Sequence, residues 1–268
     1  MTIRTPFPAI DVHTHLFPER LANAVRRALT RMYGWSFDLP TDPIEFSDFV
    51  RQRGTERFCM LPYAHKAGMA RSLNEWMANT ARTLPGAIGF ACINQDDDEK
   101  ESILTDAFDA GLHGIKLHYQ VQNVAPNDER LYPVYELMLD LDLPLVVHAG
   151  KGPTDNGLVG AERFRLLMER YPALRVCVAH LGAPEREAFI VMANEFPALY
   201  LDTSGMGNRS FAGLGLEDIA DRVLFGSDAP NIGFDYGLTI ERILDLELGD
   251  DIERKIFRDN AKAFLKLD

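Results

Sequence analysis

The sequence has few cysteines, no excess of positive charge and no long apolar run. Its three cysteines, Cys59, Cys92 and Cys177, lie in apolar segments without metal-type spacing. We therefore predict reduced core thiols and no disulfide scaffold. The 28 lysines and arginines are outnumbered by 40 aspartates and glutamates, which gives a net charge of −12. This balance argues against nucleic acid or an anionic membrane as a partner.

No apolar segment approaches the ~20 residues that a membrane span requires. None follows Met1 as it would in a secretory signal peptide. We therefore expect no membrane association and a cytoplasmic location. The partners we expect are a small-molecule substrate, with a carboxylate group as one option, and a second copy of the chain in a possible homodimer.

Eight short segments rich in Val, Ile, Leu and Phe alternate with amphipathic segments along the 268 residues. Apolar strands of this kind are typical of parallel sheets that helices cover on both faces. Eight such units, in a chain close to the ~250 residues typical of the fold, predict an α/β chain that is a single (β/α)₈ TIM-barrel domain over residues 1–268. The predicted strands are Ala9–His13, Arg57–Pro62, Ala87–Ile93, Gly114–His118, Leu143–His148, Arg175–His180, Leu199–Thr203 and Arg222–Ser227.

The first predicted strand runs into His13-Thr14-His15. Residues two apart on a strand share a face, so the two imidazoles can point at one spot and hold a divalent metal such as zinc. Such a pair also occurs by chance. Two buried histidines without a metal would, however, each need their own hydrogen-bond partners.

Three later strands run into residues of the same ligand type, namely His148, His180 and Asp228. The carboxyl ends of barrel strands meet at one mouth, where TIM-barrel enzymes carry their active sites. We therefore predict that Asp228 is a metal ligand rather than a helix N-cap or a turn residue. For His148 and His180, the residues alone leave open which one binds metal and which one transfers protons.

Lys116 and His118 lie two apart on the fourth predicted strand and share a face, and we predict that both contact the substrate. If that face is the barrel interior, Lys116 must be paired, neutral or modified. Three roles stay open for it: binding a substrate carboxylate, forming a structural ion pair, or reacting with CO₂ to give a carbamate that bridges two metals.

Other polar and aromatic residues have plainer interpretations. His65 is expected in a surface loop, and His113 at the barrel bottom. Arg209 is either a solvated loop residue or a contact for an anionic substrate. The aromatic residues that precede the second strand either form a lid or one wall of a pocket, or cover the barrel rim. These residues are Tyr33, Trp35 and Phe37.

Together these motifs resemble the amidohydrolase superfamily, in particular its amidohydrolase-related (amidohydrolase 2) group, and are similar to its aminocarboxymuconate-semialdehyde decarboxylase-like members. The resemblance covers nearly the whole chain. Its motifs are specific for the superfamily but do not identify the substrate. The motifs that carry it are Asp11-Val12-His13-Thr14-His15, Gly114-Ile115-Lys116-Leu117-His118, Val147-His148-Ala149-Gly150, Ala179-His180-Leu181-Gly182 and Phe225-Gly226-Ser227-Asp228.

In the decarboxylase-like members, the His-x-His pair, the fifth-strand histidine and the eighth-strand aspartate bind the metal. The ligands that the resemblance implies are His13, His15, His148 and Asp228. It also implies one ion, Zn²⁺ being favoured, and a proton-transferring His180. In binuclear relatives, a carbamylated lysine and the fifth- and sixth-strand histidines hold a second ion, which Lys116, His148 and His180 would also fit. We favour one ion and a free amine.

A zinc-type ion lowers the pKa of bound water from ~15.7 toward ~7 and polarises a substrate oxygen. With Asp228 accepting the proton of that water and His180 assisting, the sequence predicts a metal-dependent hydrolase of a small amide, lactone or ester. Our second hypothesis is a non-oxidative decarboxylase, a carboxy-lyase that protonates carbon and releases CO₂. A third, a metal-binding barrel without catalysis, would predict a missing acid–base group, whereas Asp228 and His180 are both present.

Overall fold

The computed structural model of the chain describes residues 3–152, 155–205 and 210–268. Parallel strands alternate with helices, as the sequence predicts. The strands β1–β9 are Ala9–Thr14, Thr55–Met60, Ala87–Gly89, Ala91–Cys92, Ile115–His118, Leu145–His148, Val176–Val178, Leu199–Asp202 and Val223–Leu224.

Each strand pairs with the next one in sequence, except that β3 does not pair with β4, and the nine strands of the described residues fill eight barrel positions. β1 to β3 form one run of paired strands, and β4 to β9 form another. The third predicted strand, Ala87–Ile93, is divided at Phe90, because its first half pairs with β2 and its second half with β5. The stagger between tilted barrel strands accounts for this change of partner.

The ring of strands closes between β1 and the segment that follows β9. The backbone N of Asp228 donates to His13 O at 2.8 Å, and the backbone N of His15 donates to Ala229 O at 2.7 Å. Barrel closure therefore places His13 and His15, on the first strand, directly beside Asp228, which is more than 200 residues away in sequence.

Helices cover the outer face of the barrel. The α-helices α1–α11 are Glu19–Tyr33, Pro43–Arg51, Ala70–Thr83, Lys100–Asp109, Tyr119–Gln122, Tyr132–Asp140, Ala161–Arg170, Arg186–Glu195, Tyr236–Leu244, Asp250–Arg254 and Asn260–Leu265. In the described part of the chain, three 3₁₀ turns and one π-helical turn complete the elements, namely Glu129–Leu131, Ala179–Gly182, Leu216–Arg222 and Lys255–Asp259. None of these helices is both long and apolar enough to span a bilayer, within the ranges that the structure describes.

The core lies in two layers, one between strands and helices and one inside the barrel. The inner cluster contains Ile10, Val12, Cys59, Leu61, Phe90, Val146, Cys177 and Leu224, together with Ala261, Phe264 and Leu265 of α11. α11 seals the bottom of the barrel: Arg175 Nη1 donates to Phe264 O at 2.6 Å, and His113 Nε2 contacts Leu265 O. The predicted position of His113 is thus confirmed, and so are three free, buried cysteines.

Candidate metal centre

Three ligand atoms converge at the carboxyl end of the barrel. His13 Nε2 lies 3.0 Å from His15 Nε2, and Asp228 Oδ1 lies 3.5 Å from the first and 3.0 Å from the second. All three atoms lie within 4.8 Å of one another. The two histidines are buried, whereas the Asp228 side chain is 20% exposed. The convergence point therefore has one side open to the barrel mouth.

The other ring nitrogen of each histidine is already engaged. His13 Nδ1 lies 2.7 Å from Asp202 Oδ2, and His15 Nδ1 lies 2.7 Å from Leu61 O. A carboxylate and a carbonyl only accept hydrogen bonds, so each Nδ1 carries the proton and each Nε2 presents a lone pair. Two lone pairs that face each other at 3.0 Å repel unless a cation lies between them, so this donor set fits a metal ion.

The charges of the groups agree with this interpretation. Burial lowers the pKa of His13 to about 3, which leaves the ring neutral. Burial alone would raise the pKa of Asp202, but the pairing with His13 holds it well below its usual range. At Asp228, burial alone would likewise raise the pKa, but the neighbouring His15, His180 and His13 hold it below its usual range. A neutral imidazole and an ionised carboxylate are the forms that ligate metals.

The sequence predicts that Asp228 directly follows the last strand, and the structure shows this to be wrong. β9 ends at Leu224, and Asp228 has a left-handed backbone with a φ of 68°. That conformation is unfavourable for a residue with a Cβ. The hydrogen bond from its backbone N to His13 O holds it there, and a functional site is where such a cost is most often found.

His148 lies beside His118 on the neighbouring strand. The two residues are in register on β5 and β6, and their rings stack with centroids 4.2 Å apart. His148 is not one of the three converging ligand residues. Its Nε2 is buried and has no hydrogen-bond partner in the described part of the chain. Burial also holds the pKa of His148 well below its usual value. A neutral, unpartnered nitrogen fits a fourth metal ligand, which stays a prediction.

The structure corrects the strand position predicted for His180. β7 ends at Val178, and His180 lies in the following turn with a φ of 59°. Its backbone N donates to Asp202 Oδ1 at 2.9 Å, which explains why the chain turns there. His180 and His148 therefore do not occupy equivalent positions, although their ring centroids lie 5.0 Å apart.

Lys116 lies inside the barrel with 1% of its surface exposed, on the face that it shares with His118. Its Nζ lies 3.1 Å from His13 Nε2. Burial lowers the pKa of Lys116 to about 8. Among the residues that the structure describes, no carboxylate forms an ion pair with it, so the role of a structural ion-pair partner is not realised.

A cavity of about 530 Å³, including its open mouth, lies above these groups. Its lining is His13, His15, Val25, Leu29, Tyr33, Trp35, Tyr63, Lys116, His118, His148, His180, Asp228 and Asn231. Tyr33 and Trp35 stack with centroids 4.4 Å apart and line the cavity, as the wall alternative predicts, but Phe37 is not in the lining. His65 is exposed, as predicted, and Arg209 lies outside the described residues.

Two residues beneath the ligands were missed in the sequence. Asp202 ends β8 and contacts His13, His180 and Ser204. It follows the apolar segment Leu199–Leu201, the same pattern that marks the other candidate residues. Ser204, two residues further on, contacts both His13 and His180 through its hydroxyl. A lone serine after a strand carries no signal of this kind.

The sequence profile of the amidohydrolase family (Amidohydro_2) matches residues 10–267. The chain belongs to this family. The resemblance seen in the motifs is thus confirmed over nearly the full length. No curated protein sequence matches the chain.

Solved structures similar to this family member include an uncharacterised TIM-barrel protein and two decarboxylases. An uncharacterised TIM-barrel protein of Bordetella bronchiseptica, Bb4693, is 21% identical, with a TM-score of 0.76 over 96% of this chain and 98% of that one. The 5-carboxyvanillate decarboxylase of Novosphingobium aromaticivorans, with manganese and 4-hydroxy-3-methoxy-5-nitrobenzoic acid, is 15% identical, with a TM-score of 0.67 over 99% of each chain.

A third similar structure is a 2,6-dihydroxybenzoate decarboxylase in complex with 2,6-dihydroxybenzoate. It is 19% identical, with a TM-score of 0.68 over 97% of this chain and 100% of that one. Identities of this size show the fold alone. The predicted (β/α)₈ barrel is therefore confirmed.

Proposed function

We propose that the chain is a divalent-metal-dependent hydrolase that cleaves a small amide, lactone or ester. The observation that carries this proposal is the convergence of His13 Nε2, His15 Nε2 and Asp228 Oδ1 beneath an open cavity. Membership of the amidohydrolase family supports it.

The residues that would hold the ion are His13, His15 and Asp228, with His148 as the fourth ligand. Imidazole nitrogens and a carboxylate suit Zn²⁺, and we propose one zinc ion per chain. The manganese in the similar 5-carboxyvanillate decarboxylase makes Mn²⁺ the alternative. When bound, the ion would lower the pKa of a water molecule and polarise the substrate oxygen.

The side chains of the cavity divide the remaining work. Asp228 accepts the proton of the attacking water and passes it to His180 Nε2, which delivers it to the leaving nitrogen or oxygen. A carbon–oxygen bond forms to the water while the bond between the acyl carbon and the leaving atom breaks. Lys116 and His118, on the cavity side of β5, contact the substrate, and the Lys116 ammonium would pair with an acidic group on it.

A second candidate function is non-oxidative decarboxylation of a small carboxylic acid. The aromatic side chains of Tyr33, Trp35 and Tyr63 lie in the same cavity as Lys116, a combination that suits a planar carboxylate. Two of the similar structures described above are decarboxylases. In this reaction, a proton is delivered to the ring carbon and the carbon–carboxylate bond breaks to release CO₂.

Metal content and reaction products test the proposal. The metal content of the purified chain is measured by elemental analysis, and the stripped chain is reloaded with Zn²⁺ or Mn²⁺. Each form is then assayed on lactones, amides, esters and hydroxybenzoates. Hydrolysis yields an acid without loss of carbon, whereas decarboxylation yields CO₂ and a product that keeps every other atom.

Variants of the ligands provide the controls. We expect the His13→Ala/His15→Ala chain to lose both metal and turnover, while His65→Ala, which changes an exposed histidine, keeps both. Undiminished metal in the double variant would contradict the site. Release of CO₂ together with a product that keeps every other atom, without any hydrolysis, would replace the hydrolase by the decarboxylase.

A further inference from the structure

We infer that Asp202 and Ser204 form a hydrogen-bonded relay that fixes His180 in one tautomer and couples it to His13. In that tautomer, Nδ1 of His180 carries the proton and Nε2 presents a lone pair to the cavity. The inference rests on the proposed function, in which His180 transfers protons and His13 is a metal ligand. It adds two positioning residues to that function.

Asp202 is the fully buried acceptor at the centre of this relay. Its Oδ2 lies 2.7 Å from His13 Nδ1. Its Oδ1 accepts from the backbone N of His180 at 2.9 Å and from the backbone N of Ser204 at 3.0 Å. The Ser204 hydroxyl also bonds to Oδ1. Since an ionised carboxylate can only accept, the hydroxyl hydrogen of Ser204 is directed at Asp202.

The direction of the bond from Ser204 to Asp202 determines which ring nitrogen of His180 carries the proton. With its only hydrogen donated to Asp202, Ser204 Oγ has lone pairs alone for its other neighbours. His180 Nδ1 lies 2.8 Å from Ser204 Oγ and must therefore be the donor. The single hydrogen of His13 Nδ1 is donated to Asp202 Oδ2 at 2.7 Å, so its 3.1 Å contact with Ser204 Oγ is only the weaker arm of a shared bond. The chain of bonds runs from His180 through Ser204 to Asp202, where the bond from His13 also ends.

Gly205 gives the His180 ring the room that this arrangement needs. Its φ of 66° is in the left-handed region, and a Cβ on it would lie 2.5 Å from His180 Nδ1. The His180 backbone is itself left-handed, with its N–H on Asp202. The backbone and the ring of His180 are thus held by the same short segment, which argues for a built position rather than an incidental contact.

The relay has a chemical consequence for the cavity. Because Nδ1 of His180 is occupied by Ser204, Nε2 is the nitrogen that acts on substrate or water. The carboxylate that orients the metal ligand also orients the proton-transfer residue, so the two depend on one group. Neither Asp202 nor Ser204 lines the cavity, and both act through the histidines.

Histidine ¹⁵N NMR tests the relay without a substrate, because it reports which ring nitrogen carries the proton. Spectra are recorded with and without zinc, which is diamagnetic, and the His180→Asn chain identifies the His180 signals. The test variants are Ser204→Ala, and Ser204→Thr as the conservative rescue. The matched control is Thr203→Val, which removes a neighbouring buried hydroxyl that bonds to Gly226 rather than to a histidine.

We expect His180 to be the Nδ1-protonated tautomer in the wild-type and Thr203→Val chains. In Ser204→Ala, its tautomer ratio should move by roughly fivefold toward Nε2–H, the factor that one net hydrogen bond supplies. Ser204→Thr should restore it. An Nε2–H tautomer in the wild type, or an unchanged ratio in Ser204→Ala, would overturn the relay. A zinc titration of the same wild-type sample tests the metal site separately. Absence of zinc binding would contradict the proposed function without contradicting the relay.

Discussion

His13 Nδ1 lies 2.7 Å from Asp202 Oδ2, a contact between β1 and β8 across 189 positions of sequence. The carboxylate is fully buried and ionised, so it holds the proton on Nδ1 and turns Nε2 toward His15 and Asp228. Outer partners of this kind orient metal ligands and raise their basicity. The metal centre that we propose therefore depends on a residue that does not contact the ion.

The first prediction concerns Asp202. In Asp202→Asn, one carboxylate oxygen becomes an amide NH₂, which cannot accept the hydrogen of His13 Nδ1. The His13 ring would therefore lose its orientation. We expect zinc affinity to fall about 10- to 100-fold, the usual effect of losing such a partner, as measured by competition with a chelating dye. Asp235→Asn is the matched control, because asparagine also caps a helix well and Asp235 only caps α9. Equal affinities in the two variants would rule out the orienting role.

The second prediction separates His180 from His148. His180→Asn should keep the bound ion, while turnover falls by about 10²-fold or more, the scale of lost acid–base assistance. His148→Asn should lose affinity for the ion itself, because a ligand nitrogen is removed. Metal content and turnover measured on the same samples distinguish the two. Loss of metal in His180→Asn would instead place that residue among the ligands.

The third prediction concerns Lys116, which we expect to be a free amine beside a single ion. Lys116→Met should leave metal content unchanged and weaken the binding of an acidic substrate, because the ammonium that pairs with it is gone. Elemental analysis and substrate titration check this. Two ions per chain, binding of the second restored by bicarbonate, or a native mass gain equal to CO₂ would show a carbamate instead.

The fourth prediction concerns the pH dependence of stability. Asp11 is fully buried, and burial raises its pKa to about 7 from 3.8. Its Oδ1 accepts from the backbone N of His13 and of Ser227, and its Oδ2 contacts the Tyr236 hydroxyl. Because burial raises the pKa, the folded chain binds the proton of the Asp11 carboxyl group more tightly than the unfolded chain does. The contribution of this bound proton to the stability of the folded chain is fully present below about pH 4 and is lost as the pH rises to about 7.

Asp11→Asn removes this titration while keeping an acceptor for the two backbone groups. Relative to the wild type, the variant should gain stability between about pH 4 and pH 7, by at most about 4 kcal/mol, since one pKa unit corresponds to about 1.4 kcal/mol. Urea unfolding at a series of pH values gives the difference directly. A difference that does not change with pH would show that Asp11 keeps an ordinary pKa.

Features set by short-range pattern could be predicted from the sequence. The eight apolar segments fall on the barrel strands, and the two-residue spacing correctly places Lys116 and His118 on the cavity side. In each case, the conformation follows from neighbours in the chain.

Features that depend on distant hydrogen bonds could not be predicted. The left-handed backbones of Asp228 and His180 are held by His13 O and Asp202 Oδ1, respectively. Neither contact exists before the barrel closes. Asp202 itself follows an apolar strand as the candidate ligands do, but an aspartate there is also a common turn residue. Only its contact with His13 shows what it does.

The central claim is that one divalent ion lies between His13 Nε2, His15 Nε2 and Asp228 Oδ1. Anomalous X-ray scattering, recorded at the absorption edge of the ion on crystals of the zinc-loaded chain, tests this most directly. The account predicts a single peak per chain, within bonding distance of those three atoms and of His148. No peak at that point, or an ion held by other residues alone, would contradict it.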